Sequence, residues 1–190
     1  MSLNESFDPK NSIELFGLRK NFNFLKGLYN SKKLPNITLI SGEKGLGKST
    51  LINHLLFYIF DKKNYNENNF TINAESHFYK LFKTNIFQNI IYYSGDKFKN
   101  IKIDDIRNLK KRIYQKSIIN DKRFIIFDDI EIINDNGLNA LLKILEEPTK
   151  NNYFILIDNK SKILKETIKS RCIEFKIILS ESEKKILFHL

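Results

Sequence analysis

The sequence predicts an α/β fold, a five-stranded parallel sheet with helices on both faces. Short apolar runs alternate along the chain with helix-like segments, the order that sets parallel strands side by side through crossover helices. Phe124-Ile125-Ile126-Phe127 is continuously apolar and ends in Asp128-Asp129, as expected of a strand buried on both faces that delivers carboxylates at its C-terminal end. Residues 42–49, GEKGLGKS, fit the pattern G-x-x-x-x-G-K-[ST] between an apolar run and an amphipathic one, which is the strand, loop and helix setting that the pattern requires.

The elements follow in order. Residues 1–13 are polar and read as an arm. From Glu14 to Leu28, Leu15, Leu18, Phe22, Leu25 and Leu28 recur at three- and four-residue steps, which predicts a helix closed by the Asn30-Ser31 turn and Pro35. The first strand runs from Ile37 to Ile40, and the helix after the loop continues through Leu51, Leu55, Leu56 and Ile59 to about Phe60. Asp61 to Glu75 is rich in Asn and Lys without period and reads as a surface excursion. Ile90 to Tyr93 is a strand, and Ile103 to Lys116 is a helix: Asp104 and Asp105 lie in its first turn, Ile106, Leu109 and Ile113 on one face, and Arg107, Lys110, Lys111 and Lys116 elsewhere. After Asp129 come a helix from Leu138 to Glu147 stopped by Pro148, a strand from Tyr153 to Ile157 ending at Asp158-Asn159, and a short helix carrying Ser170-Arg171. Cys172 to Ile177 is the fifth strand, and Ser180 to Glu183 resembles the cap of one more helix.

Composition narrows the class. A chain of 190 residues suits one α/β domain that buries roughly 70% of its unfolded surface. The single cysteine, Cys172, excludes a disulfide framework, and His54, His77 and His189 have no ligand spacing, so zinc is not expected. The N-terminus lacks the pattern of a secretion signal and no apolar run approaches the ~20 residues that span a bilayer, so a cytoplasmic protein with no membrane partner is expected. The net charge of +10 invites a nucleic-acid reading, yet Lys, Asn, Ile, Phe and Tyr are over-used throughout while Arg is scarce. A solvated lysine surface and a DNA-facing patch both remain open.

The chemistry of the loop is specific. Gly42, Gly45 and Gly47 permit backbone angles closed to other residues, so successive N–H groups can turn inward around phosphate oxygens. Lys48 would reach the β- and γ-phosphates, Ser49 would enter the shell of Mg²⁺, and the helix starting near Lys48 points its positive end at the same anion. The candidate nucleotide-binding run is Gly42, Glu43, Lys44, Gly45, Leu46, Gly47, Lys48, Ser49 and Thr50, with ATP and Mg²⁺ as ligands.

Two further segments resemble a known family. Residues 139–148, NALLKILEEP, and Ser170-Arg171-Cys172 look like the LEEP and SRC signatures of the AAA+ ATPase module of bacterial DNA polymerase III clamp-loader subunits, the delta prime branch most, with gamma/tau next. Phe16-Gly17, Lys33-Leu34-Pro35 and Ile106-Arg107-Asn108-Leu109 fall where that family has comparable elements, so the resemblance covers about residues 14–180. It implies an AAA+ P-loop NTPase domain over 14–179, the start of a truncated helical lid over 180–190, and ATP-dependent loading of the sliding clamp onto primed DNA with gamma/tau and delta subunits. It further implies that Asp128 holds Mg²⁺, that Asp129 orients the attacking water, that Asn159 is a sensor of the γ-phosphate, and that Arg171 is a finger acting in trans on a neighbour's nucleotide. The sequence departs from the family in three ways: its four-cysteine zinc module is absent, its usual Asp-Glu pair is Asp128-Asp129, and the chain stops before the lid and oligomerisation domains. A non-hydrolysing stator that contributes only Arg171 and subunit contacts is the alternative. A P-loop small-molecule kinase is disfavoured by only five arginines and by the LEEP and SRC pair.

Overall fold

Val-poor but rich in Ile and Phe, the strand segments form a five-stranded sheet in the order β4-β5-β6-β1-β7, every pair parallel. Its strands are β1 (Ile37–Ser41), β4 (Ile90–Tyr93), β5 (Arg123–Asp128), β6 (Asn152–Asp158) and β7 (Ile173–Lys176). A computed structural model describes residues 9–95, 103–114 and 122–179. The readings made for residues 1–8, for Lys116 and for the helix cap at Ser180 to Glu183 lie outside the described residues.

The chain divides into two compact units: one holds the sheet, from residues 35–44 and 88–176, and the other holds 45–87 with the chain before 35 and after 176. In the sheet unit, Leu39, Ile91, Phe127, Phe154 and Leu156 share one face with Ile106, Leu109 and Ile113 of α4 (Ile103–Tyr114) and Leu138, Leu141 and Leu145 of α5 (Asp135–Glu146). The alternate strand positions Ile40, Phe124, Ile126, Ile155 and Ile157 are buried as well, so these strands carry no polar face. Each such side chain stabilises the fold by about 1.5–3 kcal/mol. β7 is the exception: Ile173, Glu174 and Lys176 are exposed, as suits an edge strand protected from further pairing by charge. α5 begins before the expected Leu138, because the Asn134 side chain caps it by accepting from the Gly137 N–H at 2.8 Å. α6 (Glu166–Lys169) ends at Ser170, so Arg171 lies in the turn that leads to β7 and not on the helix.

The other unit contains α1 (Arg19–Asn30), α2 (Lys48–Phe60), a hairpin of β2 (Tyr65–Asn66) and β3 (Thr71–Ile72), and α3 (His77–Lys83). Three expectations change here. The first helix starts at Arg19, because Glu14 bridges Thr71 and the Leu15 N–H donates to the Phe70 carbonyl at 3.1 Å; Gly17, at φ 69°, turns this extended segment into the helix. Residues 61–75 are no simple surface excursion: Tyr65, Phe70 and Ile72 are buried, and Phe22 packs on Tyr65 and Phe70 with ring centroids 5.4 and 5.5 Å apart. Residues 9–12, read as part of an arm, are tied down, since Asn53 Nδ2 donates to the Pro9 carbonyl and Tyr79 Oη to the Lys10 carbonyl. α3 had no expectation at all. Ser76 caps it, and Phe78 and Phe82 pack on Phe57 of α2 at 4.8 and 5.2 Å.

Candidate nucleotide site

The carboxylates read from the sequence lie at the C-terminal end of the sheet, where ligands bind in open α/β folds. Asp128 closes β5 opposite Ile157 of β6, and Asp129 follows in the left-handed region at φ 58°, ψ 46°. That conformation is rare for a residue with a Cβ and marks a position where surrounding contacts over-determine the backbone. Asn159, one residue beyond β6, supplies such a contact: its Nδ2 donates to Asp129 Oδ1 at 2.5 Å and to Asp128 Oδ1 at 3.2 Å. Asp128 Oδ2 accepts from Tyr92 Oη at 2.7 Å. The structure therefore joins Asp128, Asp129 and Asn159 into one hydrogen-bonded group.

Two residues that the sequence reading missed hold this group. Gly95 backs directly onto Asp129: a Cβ built there would stand 2.2 Å from Asp129 Oδ2, so a larger residue would have to displace the Asp129 side chain. Glu131, in the 3-10 turn after Asp129, accepts from the Asn159 N–H at 3.2 Å. Nothing in the local sequence distinguishes Gly95 from a turn glycine, whereas an acid two residues after an acidic pair was a legible signal for Glu131.

At the end of β1, Ser41 is buried and donates to Glu174 Oε1 at 2.5 Å, and the Gly42 N–H donates to the Asp158 carbonyl at 3.2 Å. The first loop glycine is thus tied to the strand that carries Asn159. Glu43 and Lys44 are exposed.

In the other unit, Gly45 and Gly47 both take positive φ, at 87° and 75°. Gly47 opens α2, accepting the Leu51 N–H at 2.8 Å, and has no side chain with which to cap the first turn. Lys48 is 2% exposed. Leu46 is buried in the core, which leaves it only backbone groups to offer a ligand; Ser49 and Thr50 are half-buried.

Arg171 has different neighbours. Its Nη1 donates to the Thr167 carbonyl at 2.9 Å, and its Nη2 pairs with Glu146 Oε1 at 2.6 Å. The arginine of the SRC segment and a glutamate of the LEEP segment, the two most specific stretches of the sequence, are therefore ion-pair partners. Beside it, the Cys172 thiol is pushed up to about 12 by burial and donates to the Ile168 carbonyl, which makes it a packing residue and not a nucleophile. On α4, Lys110 and Lys111 are exposed and Arg107 pairs with Asp104 at 3.0 Å; Arg107, Lys110 and Lys143 line a groove with Asn136 and Asn139 of α5.

Comparison with known proteins gives consistent results. Residues 17–180 match the family described as DNA polymerase III, delta subunit. The DNA polymerase III subunit delta prime of Buchnera aphidicola from Schizaphis graminum is 31% identical over 155 residues, 80% of this chain and 45% of that protein. Its counterpart from Acyrthosiphon pisum is 28% identical over 91% of this chain and 52% of its own length, and a subunit gamma from the Schizaphis graminum strain is 26% identical over 92% and 47%. The chain spans about half the length of these curated relatives. Among solved structures, a Thermotoga maritima gamma subunit-related protein superposes with TM-score 0.58 at 21% identity, covering 85% of this chain and 48% of that one. Domain III of the Thermotoga maritima replication initiation protein DnaA gives 0.53 at 13% identity, covering 100% and 74%. These likenesses establish the AAA+ fold expected from the sequence.

Proposed function

The chain belongs to the DNA polymerase III delta subunit family, and from that membership we propose that it is a clamp-loader subunit of the delta prime type that binds ATP and takes part in ATP-dependent loading of the sliding clamp onto primed DNA. The observation that supports this best is the Asp128, Asp129 and Asn159 group at the strand ends. A carboxylate pair bridged by a side-chain amide has the acceptors to hold a metal-bound water and a donor to steer an attacking one.

In this reading Gly42 to Thr50 form the phosphate cradle and Lys48 supplies its cation. Mg²⁺ fits the residues offered: Ser49 and Asp128 are hard oxygen donors, and Mg²⁺ is commonly held by one or two protein oxygens together with substrate phosphates. Among the described residues no group of three or more His, Cys, Asp or Glu comes together for a metal. When bound, Mg²⁺ would neutralise charge between the β- and γ-phosphates. Asp129 would accept from the attacking water, and Asn159 would hold that carboxylate in place while sensing the γ-phosphate. Arg171 would serve a neighbouring subunit, its planar charged fork suiting phosphoryl oxygens in the transition state. The partners would be gamma/tau and delta subunits, the clamp and primed DNA, in the cytoplasm; among the described residues no helix is long and apolar enough to cross a membrane.

Reconstitution with gamma and delta subunits tests the proposal. The expected result is co-purification in one assembly whose clamp loading depends on this chain. Clamp loading at full rate without it would overturn the reading.

A further inference from the structure

Asn159 is fixed from below by a residue with no role in the scheme above. Glu131 is 7% exposed, an expensive place for a carboxylate. Its Oε1 accepts from the Asn159 N–H at 3.2 Å, from the Ser161 N–H at 3.2 Å and from Ser161 Oγ at 2.8 Å. Its Oε2 is buried with no hydrogen-bond partner among the described residues. One oxygen thus gathers three donors from a single turn while the other is left unsatisfied, a poor arrangement for stability alone and a good one for setting the turn.

The turn has a second anchor. The Lys160 N–H donates to Asp158 Oδ1 at 2.9 Å, and Lys160 takes the left-handed region at φ 54°. Between these two anchors stands Asn159, whose amide reaches both catalytic carboxylates.

We propose that Glu131 is the positioning residue of the site: it fixes the 159–161 turn and so aims the Asn159 amide at Asp128 and Asp129, making the response to a γ-phosphate depend on the geometry between β5 and β6. The inference rests on the reading of Asn159 as a γ-phosphate sensor. What the turn needs from Glu131 is an acceptor oxygen, not a charge. Glutamine supplies one at the same reach, while alanine and the similarly sized leucine do not.

The test uses the whole chain and two readouts. Amide hydrogen exchange, followed residue by residue by NMR without nucleotide, should accelerate at least tenfold at Asn159 and Ser161 in Glu131→Ala and Glu131→Leu, with Ile126 and Ile155 unchanged, and remain as in the parent in Glu131→Gln. The ratio of ADP to ATP dissociation constants should fall in Glu131→Ala to the value found for Asn159→Ala and be restored in Glu131→Gln. Leucine serves where alanine weakens the fold, since it fills the same volume. Unchanged exchange at Asn159 and Ser161 in both apolar variants, or a glutamine variant as impaired as alanine, would overturn the proposal. If Asn159→Ala itself left the nucleotide ratio unaltered, the sensor reading would fall, and the exchange rates would decide the positioning claim without it.

Discussion

Asp129 sits in a space with no slack, and that makes it sensitive to a residue far from it in sequence. Because a Cβ at position 95 would come within 2.2 Å of its carboxylate, Gly95→Ala must displace Asp129. A misplacement of ~1 Å in a positioning group can cost ~100-fold in rate. Gly95→Ala is therefore expected to depress single-turnover ATP hydrolysis in the assembled complex by about that factor with ATP affinity nearly unchanged; equal turnover would show that Asp129 does not handle the water. His54 offers a test without nucleotide. It is fully buried, beside Tyr65 Oη at 3.1 Å and the Ser12 carbonyl at 3.3 Å, and burial brings its pKa from 6.5 down to about 4. The unfolded chain then takes up this proton first as pH falls, so the stability that neutral His54 contributes is complete above pH 6.5 and is lost between 6.5 and about 4. The loss amounts to about 3 kcal/mol at most. Urea denaturation across that window should show a steeper fall in the parent chain than in His54→Gln; parallel curves would contradict the assignment.

At the scale of elements, the sequence was most legible where burial is two-sided. β1, β4, β5 and β6 were readable because runs such as Phe124 to Phe127 leave no polar face to confuse the period, and their carboxylate ends followed directly. The hairpin and α3 were not readable. Tyr65, Phe70 and Phe78 stand among asparagines and lysines whose composition resembles a loop, and only their contacts with Phe22 and Phe57 reveal a core. Likewise, Asp128, Asp129 and Asn159 carried signals in strand ends and resemblance, and Glu131 in its place two residues after the acidic pair, while Gly95 acts only through approach across the fold. If the aromatic cluster holds α3 in place, Phe57→Ala should cost about 3–5 kcal/mol in equilibrium unfolding, as large buried aromatics do. A loss under about 1 kcal/mol would mean that Phe78 and Phe82 pack without it.

For the molecule as a whole, the proposed role requires groups that act outside the chain. Arg171 is held by Glu146 and the Thr167 carbonyl with about a third of its side chain exposed, a charged donor fixed near the surface. Fingers of this kind contribute roughly 10³ to 10⁵ in rate. Arg171→Ala should leave ATP binding by this chain intact and depress the ATPase of the assembly; a collapse of this chain's own affinity instead would place the arginine in its own site. Lys110 and Lys111 are exposed on α4 beside the groove containing Lys143. DNA contact there would be indifferent to sequence, with a log-log salt slope near −0.9 per phosphate neutralised, and binding that survives charge reversal at both lysines would remove it. The central claim is nucleotide binding through the loop that opens α2, and calorimetric titration of the whole chain with ATP and Mg²⁺ tests it most directly. Saturable one-site binding that is lost in Lys48→Ala is the predicted result, and equal affinity in the two proteins, or no binding in either, would contradict it.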